Sequence, residues 1–221
     1  MTGVDLRHVD TWLFDLDNTL YPLESSLGLD ISDRITTFVA NLTGLPRDEA
    51  RALQKRYLDQ HGLTLKGLML NHGVDPDEFH RAFADLSLEV LARDHALIAA
   101  LRRLPGRRLI FTNADAGHAR RVMDHLGLSA LFDEVFHIES AGFVPKPDPE
   151  SFRRLIAAHN VDPRATAFFE DRAINLEPAA ALGMTTVLVG LDAGQNSDRF
   201  VDYRTANLAA FLAEARVKET A

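Results

Sequence analysis

The chain has no cysteine, so neither a disulfide framework nor thiolate chemistry is open to it. That absence fits a reducing compartment. No apolar run approaches the length needed to cross a bilayer. The opening residues Met1-Thr2-Gly3-Val4-Asp5 lack the basic and apolar blocks of a secretory signal, so a cytoplasmic location is expected. Basic clusters are missing as well. With 24 Lys and Arg against 32 Asp and Glu, the formal charge is −8, which argues against a nucleic-acid partner. There is no internal repeat and no low-complexity segment. What is present is ordinary: 221 residues, 46% apolar and 25% charged, can bury a full core as one large domain or as a domain carrying an insertion.

The most informative stretch is Thr11-Trp12-Leu13-Phe14-Asp15-Leu16-Asp17-Asn18-Thr19-Leu20. Trp12 to Phe14 reads as a buried strand of a parallel sheet. Two carboxylates, Asp15 and Asp17, follow at its C-terminal end, where open α/β sheets bind ligands. Like charges this close repel unless a cation or a shared proton holds them. The pair therefore reads as a metal-assisted nucleophile and an acid/base. The plainer reading is a turn opened by Asp and Asn.

After Tyr21-Pro22, Ser25 to Asp30 reads as loop, and the pattern from Ile31 to Glu89 is helical throughout. Ile31, Ile35, Phe38, Val39 and Leu42 share one apolar face, and Gly44 ends that helix. Pro46 opens the next, Thr64 to Asn71 forms a third, and Asp75 caps a fourth whose apolar face is Phe79, Phe83 and Leu86. Roughly sixty helical residues between consecutive strands exceed what a crossover needs, which predicts an inserted helical cap. A βα rhythm follows: helix Ala96–Leu104, strand Arg108–Phe111, helix Asp115–Leu126, a short strand near Val135-Phe136 and helix Glu150–His159. Strand Ala165–Phe169, helix Asn175–Leu182, strand Thr185–Val189, a loop over Gly190–Ser197 and helix Ala206–Ala215 complete it. This alternation predicts an α/β fold with a doubly wound parallel sheet.

Polar residues recur at three predicted strand ends: Asp15/Asp17, Thr112/Asn113 and Glu170/Asp171. In a parallel sheet these ends share one edge. Pro145-Lys146-Pro147 presents a lysine on a stiff loop. Each has a plainer reading alone, as helix caps for Thr112-Asn113 and Glu170-Asp171 and a solvated side chain for Lys146. Among the nine histidines no ligand spacing stands out; His118, close after Thr112-Asn113, either lines the pocket or is structural.

Together, Asp15-x-Asp17-x-Thr19, Thr112-Asn113, Lys146 and Glu170-Asp171 resemble the four motifs of the haloacid dehalogenase-like hydrolase superfamily. The resemblance implies a Rossmann-like catalytic core over residues 1–22 and 93–221 with a helical cap over 23–92. Tyr21-Pro22, the stretch Gly62-Leu63-Thr64-Leu65-Lys66-Gly67-Leu68 and Phe111-Thr112-Asn113-Ala114-Asp115-Ala116-Gly117-His118-Ala119 are similar to the pyrimidine 5′-nucleotidase branch. Two features depart from it: Ala84-Asp85-Leu86-Ser87-Leu88-Glu89 lacks a His-Asp pair, and Glu170 stands where aspartate is more usual.

The resemblance implies that Asp15 attacks phosphorus and that Asp17 serves as acid/base. It implies Mg2+ held by Asp15, the Asp17 backbone carbonyl and Asp171, with Glu170 close by and Asn175 orienting the acidic loop. Asn175 also has a plain reading as an N-cap. Thr112, the Asn113 backbone N–H and Lys146 would hold the phosphoryl oxygens. The implied partner is a small phosphorylated metabolite, a nucleoside monophosphate for this branch, or else a sugar phosphate or phosphoglycolate. Tyr21, Tyr57, His61, Lys66 and Phe79 are open as base or sugar contacts. A dehalogenase is disfavoured because Asp17 is present, and a non-catalytic binding protein because all four motifs are filled.

Overall fold

The computed structural model describes residues 4–22 and 26–219. Its centre is β1 (Thr11–Phe14), whose four residues are all buried. β2 (Arg107–Phe111) and β4 (Thr166–Glu170) flank it, both parallel. β3 (Glu134–Phe136), β5 (Thr185–Val189) and β6 (Tyr203–Thr205) complete a six-stranded sheet of order β3-β2-β1-β4-β5-β6, with every pairing parallel. The chain builds outward from β1 through β2 to β3, then returns to the other side of β1 for β4. Such a reversal of strand order opens a crevice at the C-terminal ends of the strands.

Alternation along each strand sends neighbouring side chains to opposite faces. Trp12 and Phe14 join one apolar cluster with Phe169, and Leu13 joins another with Phe111, Phe152 and Phe168. The ring centroids of Phe14 and Phe169 stack 4.6 Å apart, which fixes β1 against β4. Helices α5 (His95–Arg102), α6 (Ala116–Leu126) and α9 (Leu208–Glu214) cover the first face; α7 (Pro149–His159) and α8 (Ala173–Ala181) cover the second.

Between β1 and β2 lie α1 (Ser26–Thr43), α2 (Arg47–His61), α3 (Thr64–His72) and α4 (Pro76–Arg81). They bury a third cluster of their own, including Val39, Leu53, Tyr57, Leu68, Phe79 and Phe83. Asp75 caps α4 as expected, accepting from the Asp77 N–H.

The sequence expectations miss in definable places. The loop expected over Ser25 to Asp30 is helical from Ser26, while Ser25 lies outside the described residues. Leu27 explains the early start, because it is buried in the cluster around Trp12 and anchors the first turn. Leu42, expected on the apolar face, is exposed. The helical pattern does not run to Glu89: α4 stops at Arg81. Arg121, from α6, donates to the carbonyls of Phe83, Ala84 and Leu86, satisfying backbone that a helix would otherwise have paired. β4 runs one residue further than expected, so Glu170 ends it, and α8 begins at Ala173 rather than Asn175. β6 was not expected at all; three half-buried residues carry no readable period.

Two glycines are fixed by sterics. Gly106 sits at φ 79°, and a Cβ there would come within 2.2 Å of the Asp10 carbonyl oxygen. Gly67 lies inside α3, where alanine ordinarily gains about 1 kcal/mol. Its Cβ would stand 2.4 Å from Tyr57 Cγ, so overpacking of about 1–3 kcal/mol should reverse the sign. Gly67→Ala is therefore expected to lower the urea unfolding midpoint; a raised midpoint would refute the close α2–α3 packing.

Candidate active site

The register of the central strands builds the site. Phe14 stands opposite Ile110 on one side and Phe169 on the other. The next residues, Asp15, Phe111 and Glu170, therefore reach the same sheet edge together. The Asp15 N–H donates to the Phe169 carbonyl at 2.9 Å and the Thr112 N–H to the Phe136 carbonyl at 3.0 Å, carrying the ladder to its limit.

Lys146 is the surprise of the edge. A lysine read alone as a solvated side chain is 1% exposed. Its Nζ donates to Asp15 Oδ1 at 2.7 Å, to Glu170 Oε2 at 2.7 Å and to the Phe111 carbonyl at 2.8 Å, which uses all three ammonium protons. The faces of Phe111 and Phe168 lie 5.1 and 5.4 Å away. Asn113 holds the lysine loop at both ends of one residue: its Oδ1 accepts from the Lys146 N–H at 2.8 Å and its Nδ2 donates to the Lys146 carbonyl at 3.1 Å. The Asn113 side chain is thus structural. Thr112 Oγ1 accepts from the Ala114 N–H at 3.0 Å and stands 3.5 Å from Asp17 Oδ2.

Asp17 is gripped by two residues that sequence reasoning did not place on it. Tyr21 Oη donates to Asp17 Oδ1, and His118 Nε2 lies 2.8 Å from the same oxygen. Tyr21, open as a base contact, is instead a partner of the second acid. Asn18, in the left-handed region at φ 63°, donates from Nδ2 to Asp171 Oδ2 at 2.7 Å and ties the turn after β1 to the end of β4. His118 and Asn175 are each the third residue of a helix that follows a site strand, α6 and α8. That offset is the signal that would have found His118. Arg172, not Asn175, holds the N-cap position of α8, so the plain reading of Asn175 fails. Asn175 is buried, and its Oδ1 has no hydrogen-bond partner among the described residues.

These contacts set the ionisation of the group. Burial and the Glu170 charge push the Asp15 carboxyl well above the usual range, against the pull of Lys146. Burial would raise Asp17 too, but the His118 charge and the hydrogen bonds from His118 and Tyr21 outweigh it and hold Asp17 low. His118 is raised in turn, since the Asp17 charge overcomes its burial. Glu170 is held low because Lys146 overcomes burial. Asp171 is pushed up to about 7 by burial and by its hydrogen bond with Glu170.

Asp15, Glu170 and Asp171 offer ligand oxygens all within 4.8 Å of one another. The donors are oxygen alone, burial and the Glu170 carboxylate push Asp171 up to about 7, and Asn175 Oδ1 has no partner among the described residues. That set fits a small hard cation such as magnesium. The Asp17 carboxylate is not part of it, being turned to Tyr21 and His118.

Asp15, Asp17, Thr112, Asn113, Lys146, Glu170, Asp171 and Asn175 all line one cavity of about 350 Å3, together with His118. Its other walls come from α1 to α4 and the residues flanking them, through Ile31, Ile35, Leu58, Leu63, Phe79 and Phe83. Of the remaining residues open as contacts, Phe79 reaches the cavity. Tyr57 hydrogen-bonds His72 at 3.0 Å, and neither it, His61 nor Lys66 lines this cavity.

Removing the ammonium should leave Asp15 and Glu170 buried without a counter-charge, a loss of about 3–5 kcal/mol. Lys146→Met is expected to unfold at markedly lower urea at pH 8. Without Lys146, both carboxyls would sit above their unfolded values, so their charged forms cost stability as pH rises. The deficit against wild type should therefore shrink towards pH 5. Equal deficits at both pH values would show that Lys146 does not neutralise these two acids.

Comparison with known proteins gives the family. A family model described as haloacid dehalogenase-like hydrolase matches residues 9–183. Phosphate metabolism protein 8 of Saccharomyces cerevisiae is 30% identical over 193 residues, which is 80% of this chain, and the match spans 60% of that relative's length. Among solved structures, a HAD phosphatase from Thermococcus onnurineus superposes with a TM-score of 0.65 at 21% identity, covering 95% of this chain and 100% of that one. CbbY from Rhodobacter sphaeroides, solved in complex with phosphate, gives a TM-score of 0.65 at 21% identity over 93% and 99%. The family model takes in β1, β2, Lys146 and the Glu170-Asp171 end of β4, every strand end that supplies the cavity's polar floor, and on that match the chain belongs to the haloacid dehalogenase-like hydrolases.

Proposed function

We propose that the chain is a magnesium-dependent phosphomonoester hydrolase that works through an aspartyl-phosphate on Asp15, and that its substrates are pyrimidine nucleoside 5′-monophosphates. One observation carries the reading: two acids, Asp15 and Asp17, stand two residues apart just past the end of β1 and open onto one cavity beside carboxylate oxygens that fit a metal ion. A carboxylate nucleophile with a second acid close by is what splitting the hydrolysis into two steps requires. The 30%-identical relative named for phosphate metabolism adds support. In this reading residues 1–22 and 93–221 are the catalytic core and residues 23–92 the cap.

Lys146 orients the Asp15 carboxylate by holding Oδ1. A carboxylate oxygen of Asp15 forms a bond to phosphorus as the bond to the nucleoside oxygen breaks, and Asp17 gives a proton to that leaving oxygen. Asp17 then takes a proton from the water that attacks phosphorus, which frees Asp15 and inorganic phosphate. His118, raised by the Asp17 charge beside it, would keep the required proton within the pair until the anionic substrate arrives. Thr112 and the Asn113 N–H would donate to the phosphoryl oxygens, and Lys146, its protons already engaged, would add positive charge beneath them. Magnesium would be held by Asp15, Asp171 and the Asp17 carbonyl beside Glu170, and when bound it supplies positive charge against the phosphoryl oxygens.

The walls from α1 to α4 choose the leaving group. Ile31, Ile35, Leu58, Leu63, Phe79 and Phe83 present hydrocarbon. A flat base gains by covering such a surface, whereas a sugar would leave hydroxyls unpaired against it. The test is phosphate release from UMP, CMP, AMP, GMP and glucose 6-phosphate, with magnesium and with EDTA. UMP and CMP should exceed the purine nucleotides in kcat/KM by about ten-fold, a difference of about 1.4 kcal/mol. EDTA and Asp15→Asn should each abolish release. Preference for the sugar phosphate would end the nucleotidase reading alone; no release from any substrate would end the hydrolase reading.

His118→Ala should lower kcat by on the order of a hundred-fold, the range of a compromised acid/base, with little change in KM. His118→Gln, which keeps a donor for Asp17 Oδ1, should recover part of the loss. A fall in KM-dependent terms only would place His118 in substrate binding instead.

A further inference from the structure

A second group of metal-ligating side chains stands apart from Asp15, Glu170 and Asp171. His80 on α4, Asp115 at the N-cap of α6 and Glu139 in the turn after β3 bring ligand atoms within 4.8 Å of one another. His80 Nδ1 is 3.7 Å from Glu139 Oε1. His137 Nδ1 is 2.7 Å from the other oxygen, Oε2. Glu139 thus lies between two imidazoles, one from the helical segment and one from the end of the sheet.

Helix capping accounts for the two carboxylates. Asp115 Oδ1 accepts from the His118 N–H at 2.9 Å, and Glu139 Oε1 and Oε2 lie 3.3 and 3.2 Å from the Ala116 N–H. Capping does not account for the imidazoles. Nor does it explain why two carboxylates are held this close, since like charges repel unless a positive charge joins them. The backbone N–H bonds fix the direction of both carboxylates and leave lone pairs over, as hydrogen-bonded ligands of metal ions have. A nitrogen donor beside two carboxylates does not suit magnesium, which takes oxygen; it suits zinc, which takes such ligands and accepts three from the protein with a fourth position open.

We propose that His80, Asp115 and Glu139 form a zinc site, with His137 holding Glu139 from the far side. Its ligands come from α4 on one side and from the edge of the sheet on the other, so the ion fastens the helical segment across the cavity that His80 and Asp115 also line. The site is independent of the substrate reading, because its donors are none of the residues assigned to phosphate chemistry.

Zinc binding to the full chain is measured by equilibrium dialysis in millimolar magnesium, which occupies the oxygen-only carboxylate group. One zinc per chain is expected. His80→Ala and His137→Ala should each weaken binding ten-fold or more. Asp115→Asn and Glu139→Gln should weaken it similarly while α6 stays intact by circular dichroism, because asparagine caps helices as well as aspartate and glutamine keeps an acceptor. Asp171→Ala should leave zinc binding unchanged. Zinc should raise the Tm of wild type and not that of His80→Ala. Absence of retained zinc, equal binding by wild type and His80→Ala, or loss of zinc in Asp171→Ala alone would each overturn the proposal.

Discussion

The structure turns on the burial of a single ammonium group. Lys146 Nζ joins Asp15 at the end of β1, Glu170 at the end of β4 and the carbonyl of Phe111 at the end of β2, while Asn113 fixes the lysine's own backbone. Three adjacent strands and one long loop therefore meet at one atom. Taking an ammonium out of water is costly, and it is tolerated here because every proton has a partner and two partners are anionic. Strand register makes this possible. A one-residue slip of β4 would turn Glu170 to the other face and leave the lysine with half its counter-charge.

The same count of charges limits what the cavity admits. Four carboxylates, from Asp15, Asp17, Glu170 and Asp171, face it or lie just beneath it, against the cations Lys146 and His118. A phosphate dianion brought to this surface would meet net repulsion, strengthened by the low dielectric of a buried floor. The strain shows in Asp15 and Asp171, both pushed up by burial and by their neighbours' charge. Neutral Asp15 is a poor nucleophile, so protonation cannot be the working solution. A cation held by Asp15, Glu170 and Asp171 would offset these charges and supply positive charge for a phosphate, so the donor set and the proposed chemistry support each other.

Much of this was legible in the sequence, for reasons that differ by residue. Strand ends were readable because Trp12 to Phe14 and Thr166 to Phe169 are short apolar runs stopped by acids. A parallel sheet then gathers all such ends on one edge without further information. Helix starts at Asp75 and Asp115 were readable because capping is local chemistry. What escaped depends on long-range partners. The end of α4 is set by Arg121 from another helix, and the early start of α1 by Leu27 docking into the core around Trp12. Tyr21 and His118 looked like residues for a ligand or for packing, since nothing local says that both aim at one oxygen of Asp17. The burial of Lys146 was likewise hidden: two flanking prolines announce a stiff loop but not where it points.

Floor and walls of the cavity come from different parts of the chain, and this separation has a consequence for selectivity. The polar floor is welded by the Lys146 contacts and by Asn18 bridging to Asp171, so substitutions there change chemistry and stability together. The apolar walls belong to helices with a cluster of their own, built around Val39, Tyr57 and Phe79. Side chains such as Ile35 and Leu63 contribute to that cluster only from its margin while lining the cavity. They can change shape at small cost to packing, because partly buried positions lose little contact when replaced. Selectivity for the leaving group is therefore free to vary on α1 to α4 while the edge of the sheet, constrained by charge, keeps one chemistry.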